Sequence, residues 1–280
     1  MNQAIGASRK SAPVRNAKYS RAMEKEDPSR EPPTVSLRHI SFTYPGSVKA
    51  IGDLSFDLAQ GEVLSIVGPS GCGKSTLLRI LSGLRDPTSG LISRSFGKGK
   101  RHGCSMVFQE DTLLPWLTVE ENVGLYYRFN RSRAVGATQH VAELLEMVKL
   151  SQYSKFYPHQ LSGGMRRRVA LLTAMAPQPD LLLLDEPFSA LDEPTRIALH
   201  GECHMLLKRL GITAVLVTHD LAEAISLSDR VFILSRPPAT IVDEVHIPFG
   251  NVRNMYDLRD DHGFLDLYGQ LWGRLKEQIV

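Results

Sequence analysis

The fold of this 280-residue chain is decided by one stretch, Val63-Leu64-Ser65-Ile66-Val67-Gly68-Pro69-Ser70-Gly71-Cys72-Gly73-Lys74-Ser75-Thr76. Its first five residues are a short apolar run, which indicates a buried strand, and residues 74–84 indicate a helix. The turn between them matches G-x-x-x-x-G-K-S/T, the pattern of a phosphate-binding loop (P-loop). Glycines let backbone N–H groups curl around phosphate oxygens, and the following helix directs its positive end at the anion. The alternative is a glycine-rich turn without a ligand.

Charged and hydroxyl side chains at the loop and at a later strand end add to this site. The Lys74 ammonium can reach the β- and γ-phosphates, and the Ser75 hydroxyl can ligate magnesium. A second apolar run, Leu181–Leu184, ends in Asp185 and Glu186, the form of a Walker B strand. A buried parallel strand delivers its carboxyl end to a ligand crevice. Asp185 would hold the magnesium shell there, and Glu186 would polarise a water for attack on the γ-phosphate. Without the P-loop, the two acids would indicate only a solvated strand end.

Polar residues follow two more apolar runs. His219 comes after Ala214–Val217, and Gln109 comes after Met106-Val107-Phe108. A histidine after a strand is more often structural. Because a third strand would end at the same crevice, we expect His219 to act as a γ-phosphate sensor. Gln109 by itself indicates no role.

A second glycine-rich stretch, Leu161-Ser162-Gly163-Gly164-Met165, opens a helix that runs to Met175 and stops before Pro177. A helix N-terminus with free N–H groups is an anion-binding site, so the chain carries two of them. This stretch resembles the LSGGQ signature of the ATP-binding-cassette (ABC) family. The family's order of motifs is present over about residues 35–235: Tyr44, the P-loop, Gln109, the signature, the Walker B strand, the D-loop Ser189-Ala190-Leu191-Asp192 and His219.

The resemblance implies an α/β fold, a P-loop NTPase with a RecA-like core, an antiparallel β-subdomain and an inserted helical subdomain at about residues 112–165. The predicted division of the chain has three parts. A disordered basic N-terminal arm covers residues 1–33, the ABC ATPase domain covers 34–235, and a C-terminal extension covers 236–280. The extension is proline-rich and then irregular, with a helix near its end.

The resemblance further implies an ATPase with ATP and Mg²⁺ as cofactors. The catalytic residues would be Glu186, His219 and Lys74. The nucleotide would be bound by Tyr44, Gly68, Ser70, Gly71, Cys72, Gly73, Lys74, Ser75, Thr76, Gln109, Ser162, Gly163, Gly164 and Asp185. Magnesium would be held by Ser75, Gln109 and Asp185. Tyr44 would stack on adenine, although it could also be an ordinary core aromatic.

In the family, the signature of one subunit closes over the ATP held by the other, which implies a head-to-tail homodimer. The cassette would drive separate transmembrane permease subunits as a peripheral protein on the cytoplasmic face of the inner membrane. An external solute-binding protein would take part indirectly. An importer is favoured over an exporter because the cassette stands free of a transmembrane domain. The stretches Leu113–Val119 and Asp185–Asp192, together with Met165, resemble the importer subgroup for nitrate, sulfonates, taurine and related solutes.

The alternative function is a soluble ABC-type ATPase acting on nucleic acid or ribosomes. Such members usually carry coiled-coil insertions, zinc motifs or two cassettes, and we find none in this sequence. The formal net charge of +3 is mild, so no nucleic-acid partner is expected. A nucleotide-binding regulator without turnover is opposed by Glu186 and His219.

The composition indicates the cellular compartment in which the chain is expected. Three scattered cysteines indicate a reducing cytosol rather than a disulfide framework, and we find no apolar run long enough to span a bilayer. The basic arm at residues 1–33 could be a solvated tail, a membrane-surface contact or an organelle transit peptide.

Several local features carry narrower expectations. Met165 and Arg167 stand where the common family signature has glutamine. This departure puts the fine tuning of the activity in doubt, more than the activity itself. His200 and His204, one helical turn apart, have a spacing that can bind zinc, but no further ligand pair is evident. We predict a lowered pKa and a reactive thiol for Cys72 in the loop. We also predict that the Gln109 segment and the helical insertion after it contact the permease. The docking groove would lie around Leu114 to Leu117, and charged substitutions at Leu117 would uncouple transport.

Overall fold

The computed structural model describes residues 32–96, 103–110, 112–130, 134–189 and 191–279. Nearly all of the basic arm predicted at residues 1–33 lies outside the described residues, as does Ala190 of the D-loop. Residues 33–280 form one compact unit.

The described residues form a nine-stranded sheet. Its strands are β1 (Val35–Tyr44), β2 (Val48–Leu58), β3 (Val63–Val67), β4 (Ser89–Arg94), β5 (Cys104–Val107), β6 (Leu181–Asp185), β7 (Thr213–Val217), β8 (Arg230–Leu234) and β9 (Ala239–His246). They lie in the order β4-β1-β2-β9-β8-β3-β7-β6-β5. The helices of the described residues are α1 (Lys74–Leu81), α2 (Val119–Val123), α3 (Leu125–Phe129), α4 (Ala137–Met147), α5 (Gly163–Met175), α6 (Glu193–Leu210), α7 (Leu221–Leu227), α8 (Met255–Asp260) and α9 (His262–Ile279).

Five strands, β8, β3, β7, β6 and β5, pair in parallel and form the centre of the sheet. Every residue of β3 and β7 is buried, because helices cover both faces of a parallel sheet and its strands are continuous apolar runs. All five strands point the same way, so their carboxyl ends lie along one edge. This edge is where an α/β sheet binds its ligands.

The antiparallel part of the sheet consists of β4, β1 and β2. β1 alternates buried and more exposed positions at its start, as expected for a strand with one face on the core. The described residues between Val119 and Gln160 form α2, α3, α4 and two short 3₁₀ helices. They lie within the region for which a helical subdomain is predicted.

The predicted irregular structure after Arg236 is wrong for β9, which pairs with β8 in antiparallel and with β2 in parallel orientation. β9 thereby joins the two parts of the sheet, and the boundary predicted at residue 235 falls inside one compact unit. α9 buries Phe264, Leu267, Leu271 and Leu275 in a core shared with α7 and β8. These four positions repeat every three or four residues, which places them on one face of a helix.

Among the described residues, no helix combines the length and the apolar character that a bilayer crossing needs.

Candidate functional site

The P-loop follows β3 and ends at the start of α1, as predicted. Gly71 and Gly73 adopt positive φ angles of 74° and 115°, which residues with a side chain rarely adopt. A Cβ at Gly73 would lie 2.9 Å from the carbonyl oxygen of Ala50. The loop therefore needs glycine at this position both for its conformation and for its close approach to β2.

The Lys74 ammonium lies inside the loop. Its Nζ donates hydrogen bonds to the carbonyl oxygens of Gly68 at 2.8 Å and Pro69 at 2.9 Å, and the residue is only 6% exposed. A buried cation is costly unless it is hydrogen-bonded, so these carbonyls stabilise the charge where the loop curls. The position suits contact with an anion that the loop encloses.

The register of the sheet brings the predicted residues to the same edge. Ile66 of β3 lies beside Val217 of β7, and Val217 lies beside Asp185 of β6. The residues that follow these three strands are the P-loop, Thr218 with His219, and Glu186. Val107, the last residue of β5, lies beside Leu184 of β6, so the segment that carries Gln109 leaves the sheet at this same edge.

Ser75 and Asp185 meet directly. The Ser75 hydroxyl donates to Oδ1 of Asp185 at 3.3 Å, although the two residues are 110 positions apart in the chain. Burial raises the pKa of the Asp185 carboxyl, and the neighbouring charge of Glu186 raises it further, while the Ser75 hydrogen bond opposes both. Two adjacent acids at a partly buried strand end favour a cation beside them.

Glu186 and His219 form a second pair, with Nδ1 of His219 3.2 Å from Oε2 of Glu186. Glu186 has a φ of 44°, a left-handed conformation that is uncommon for a residue with a side chain and that recurs at functional sites. Its N–H donates to the carbonyl of Val217 at 2.9 Å, which holds it against β7. The glutamate side chain is 24% exposed and the histidine 62% exposed, so both can meet a ligand and water.

Tyr44 lies beside the P-loop helix, since its hydroxyl is 2.8 Å from the hydroxyl of Thr76. The ring contacts Phe42 edge-on at 4.9 Å and has the Arg85 guanidinium 4.9 Å from its centroid. Arg85 could not be predicted from the sequence, because a cation over an aromatic ring is a tertiary contact.

Cys72 contradicts one prediction. The residue is fully buried with Leu77 and Leu234 in the core beneath the loop, and burial raises the pKa of its thiol, with only partial compensation by the Lys74 charge. The predicted lowered pKa is therefore wrong. Cys72 can still contribute backbone N–H to the loop, but its sulfur faces the core.

The signature residues do not join the residues at the strand ends. Ser162 caps α5, accepting a hydrogen bond from the N–H of Met165 in its own helix at 3.3 Å. Ser162 and Gly163 are exposed, and a Cβ at Gly164 would lie 2.7 Å from Cγ2 of Thr195. The start of α5 is therefore an open helix N-terminus held close to α6.

The two helix histidines are core residues. His200 packs edge-on against Phe188 at 4.9 Å, and burial lowers its pKa to about 3. His204 lies within hydrogen-bonding distance of the carbonyls of Leu227 and Asn251. Within the part of the chain that the structure describes, no group of three or more His, Cys, Asp or Glu residues could hold a metal ion.

Leu117 is buried, whereas its neighbour Trp116 is exposed. Leu117 is 9% exposed and belongs to the core, so the prediction that Leu117 docks a partner is wrong, whereas Trp116 is 69% exposed. The apolar pattern Leu113–Leu117 does not by itself say which side chain faces outwards, because the segment is a loop without a fixed period.

Comparison with known proteins agrees with this geometry. The model of the ABC transporter family matches residues 51–189. The uncharacterized ABC transporter ATP-binding protein YtlC of Bacillus subtilis is 40% identical over 242 residues, covering 85% of this chain and 93% of that protein. The aliphatic sulfonates import ATP-binding protein SsuB 1 of Rhodococcus jostii is 45% identical over 205 residues, covering 73% and 80%. Other relatives are named taurine and nitrate import ATP-binding proteins.

A solved structure is similar over the whole of its length. It is the dimeric, post-hydrolysis state of the ATP-binding cassette MJ0796 bound to ADP and Pi, with a TM-score of 0.63 and 30% identity, covering 77% of this chain and 100% of that one. The chain therefore belongs to the ATP-binding ATPase subunits of the ABC transporter family.

Proposed function

We propose that the edge formed by β3, β6, β7 and the segment after β5 is the ATP-hydrolysing site. In this proposal Lys74 contacts the β- and γ-phosphates, Glu186 polarises the attacking water and His219 contacts the γ-phosphate. The observation that carries it is the direct pairing of Ser75 with Asp185 and of Glu186 with His219 at neighbouring strand ends. The P-loop thus faces a general base in one crevice.

The donor set at this crevice fits magnesium. The Ser75 hydroxyl and the Asp185 carboxylate are hydrogen-bonded to each other at 3.3 Å. Gln109 lies in the segment after β5, the strand that neighbours β6, and offers a side-chain oxygen. Magnesium prefers hard oxygen ligands and keeps several waters, so a few protein oxygens are enough. When bound, the ion would offset negative charge on the phosphates, and these side chains would hold it beside the P-loop.

Tyr44 is proposed as the adenine platform. Its hydroxyl is tied to Thr76 in the P-loop helix, so the ring keeps a fixed position relative to the phosphate cradle. In ATP the ribose separates the adenine base from the phosphates, so an aromatic ring close to the phosphate site is placed to stack on the adenine.

The open N-terminus of α5 supports a homodimer. Its exposed start, formed by Ser162 and Gly163, can bind an anion through backbone N–H groups, but in this chain it does not meet the P-loop residues. A second copy arranged head to tail would place this helix start over the nucleotide of its partner, completing two composite sites. The solved cassette that this chain resembles is dimeric.

The transport role is the remaining part of the proposal. The relatives named for sulfonate, taurine and nitrate import support an importer for a small solute of this kind, with separate transmembrane permease subunits. The cassette would then be peripheral to the cytoplasmic face of the inner membrane, with an external solute-binding protein acting only through the permease. Nothing in this role calls for nucleic acid. Exposed Trp116 offers an apolar contact for a permease segment.

Replacement of the proposed base tests the hydrolytic site. Glu186→Gln keeps the size of the side chain but removes its basic carboxylate, so turnover should fall by about 10²-fold or more while ATP still binds. Calorimetry would measure ATP affinity, and size exclusion would detect an ATP-bound dimer. Glu244→Gln on β9 is the matched control and should keep the wild-type rate. Hydrolysis by Glu186→Gln at that same rate would contradict the assignment.

A docking experiment tests the transport role. Trp116→Glu should reduce co-purification with co-expressed permease subunits while ATPase activity of the isolated chain remains. Leu91→Glu is the control, since Leu91 is 59% exposed on a distant strand of the antiparallel part. Equal recovery of permease with Trp116→Glu would exclude this surface. Uptake of taurine, an alkanesulfonate and nitrate by the assembled transporter would distinguish the solutes.

A further inference from the structure

Three consecutive arginines in α5 contact three different parts of the molecule. Successive side chains of a helix point about 100° apart, so three consecutive residues cannot all contact the same neighbouring segment. Arg166 donates to the carbonyl of Leu161 at 2.8 Å, and Arg168 donates to the carboxylate of Glu202 on α6 at 2.6 Å. Arg167 points elsewhere, towards the segment that follows β5.

Arg167 holds one backbone carbonyl with both of its terminal nitrogens. Nη1 and Nη2 each donate to the carbonyl oxygen of Phe108 at 2.9 Å. The residue is only 5% exposed, so its charge is hidden from water and these charge-assisted bonds are strong. A lysine could not reproduce the contact, because its ammonium is a point charge without the planar fork.

The bonded carbonyl belongs to the peptide unit that carries Gln109. A peptide bond is planar, so the C=O of Phe108 and the N–H of Gln109 turn together. Val107 is the last residue of β5 and is buried, whereas Phe108, Gln109 and Glu110 are exposed. Arg167 therefore grips the chain where it leaves the sheet, one residue before the side chain proposed to reach magnesium.

The other end of the same helix is the exposed signature. Gly163 and Arg167 are four residues apart, about one helical turn or roughly 6 Å along the axis. α5 is capped by Ser162 and continues without interruption to Met175, so its first turn and Arg167 move as one body. A displacement of the signature end would be carried to the peptide unit of Gln109 through the guanidinium.

We propose that Arg167 is a positioning residue that couples the signature helix to the Gln109 segment, and that it affects hydrolysis through Gln109. The proposal rests on the proposed function only for the role of Gln109. The tie itself is a property of the described structure. It gives a specific role to a position where this sequence departs from the glutamine of the common family signature.

Hydrogen exchange of the full-length chain tests the tie independently of hydrolysis. Arg167→Met removes the donors but keeps a long side chain, and exchange of the amides of residues 108–110 should accelerate on the order of 10-fold. Arg167→Lys keeps the charge in the core and should accelerate exchange of these amides less. It replaces Arg167→Met as the test variant if the methionine variant does not fold. Arg168→Met, which breaks the neighbouring pair with Glu202, should leave these amides unchanged. Unchanged exchange at residues 108–110 in both Arg167 variants would overturn the proposal.

A double-mutant cycle on the turnover number tests the coupling. Arg167→Met should lower kcat about 10-fold with KM for ATP little changed, whereas in a Gln109→Ala background it should change kcat less than about 2-fold. Arg168→Met should have the same effect on kcat in both backgrounds. Equal losses from Arg167→Met with and without Gln109 would refute the coupling. If Gln109→Ala alone left turnover and its magnesium dependence unchanged, the proposed role of Gln109 would fail, while the exchange result would still decide the tie.

Discussion

Replacement of Arg253 should destabilise the whole compact unit. Its side chain is 1% exposed and lies between the C-terminal segment and the end of α7. Arg253 donates five hydrogen bonds, all to backbone carbonyls, at 2.8–3.1 Å; the acceptors are Ile225, Ser226, Ser228, Phe249 and Gly250. Three of these carbonyls belong to the last turn of α7 or follow it directly, where a helix leaves its own carbonyls without partners.

The magnitude follows from what remains after the guanidinium is removed. Each charge-assisted hydrogen bond contributes about 1.5–3 kcal/mol, but the five share one side chain and are not additive. The favourable interaction of a cation with a helix C-terminus is lost as well, about 0.3–1 kcal/mol. Arg253→Met should therefore cost about 3–5 kcal/mol of unfolding free energy, a large part of the usual total of roughly 5–15 kcal/mol.

Calorimetric unfolding would measure this effect as a fall in Tm of about 6–15 °C. The matched control is Arg274→Met on α9, because Arg274 is 61% exposed and has a single ion pair with Asp243 at 3.5 Å. Such an exposed pair contributes at most about 1 kcal/mol. A Tm for Arg253→Met within about 2 °C of the control would refute the reasoning, because it would mean that water satisfies the five carbonyls equally well.

Three further predictions concern the site and its surroundings. Lys74→Ala should weaken ATP binding in calorimetry and abolish hydrolysis, and unchanged values of both would contradict the P-loop assignment. Cys72 should react with a maleimide far more slowly than free cysteine, since the side chain is buried and burial raises the pKa of its thiol; rapid labelling of Cys72 that ATP slows would contradict this. Burial raises the pKa of Glu223 to about 8. The folded state therefore keeps a proton on this carboxyl that the unfolded state releases near pH 4.3. The free energy of unfolding that this difference contributes is lost as the pH rises towards 8. Glu223→Gln should therefore gain stability relative to the wild type between about pH 5 and pH 8, and a constant difference in denaturant titrations across that range would exclude the effect.

Residue types at fixed spacing made the phosphate cradle and its acids predictable. The P-loop pattern demands glycine at positive φ, and the structure has such angles at Gly71 and Gly73. Asp185 and Glu186 could be placed near that loop because parallel strands end at one edge of a sheet. The direction of the strands alone was enough for this prediction, and the register of β3, β7 and β6 agrees with it.

The direction of single side chains could not be predicted in the same way. Cys72 and Trp116 both lie in non-repetitive segments, where no period assigns a face to each residue. Whether Cys72 faces the nucleotide or the core is decided by what lies beneath the loop, and its sulfur lies close to Gly68 and the core below. β9 was missed for another reason. It follows a proline pair, and the strand is partly exposed, with the polar residues Glu244 and His246 at alternate exposed positions.

The position of His219 connects the proposed site, through α7, with the C-terminal segment that carries Arg253. His219 directly precedes Asp220, which caps α7 by accepting hydrogen bonds from the N–H groups of Ala222 and Glu223. The other end of α7 is held by Arg253, more than thirty residues later in the chain. If His219 contacts the γ-phosphate as proposed, its side chain must be held to a few tenths of an ångström. Both ends of the helix that follows it are tied by hydrogen bonds. We therefore expect changes in the C-terminal segment that loosen α7, such as Arg253→Met, to lower turnover at temperatures where the protein remains folded, without a matching change in ATP affinity at the P-loop. A loss of turnover and affinity in equal measure would show that the segment supports the fold alone.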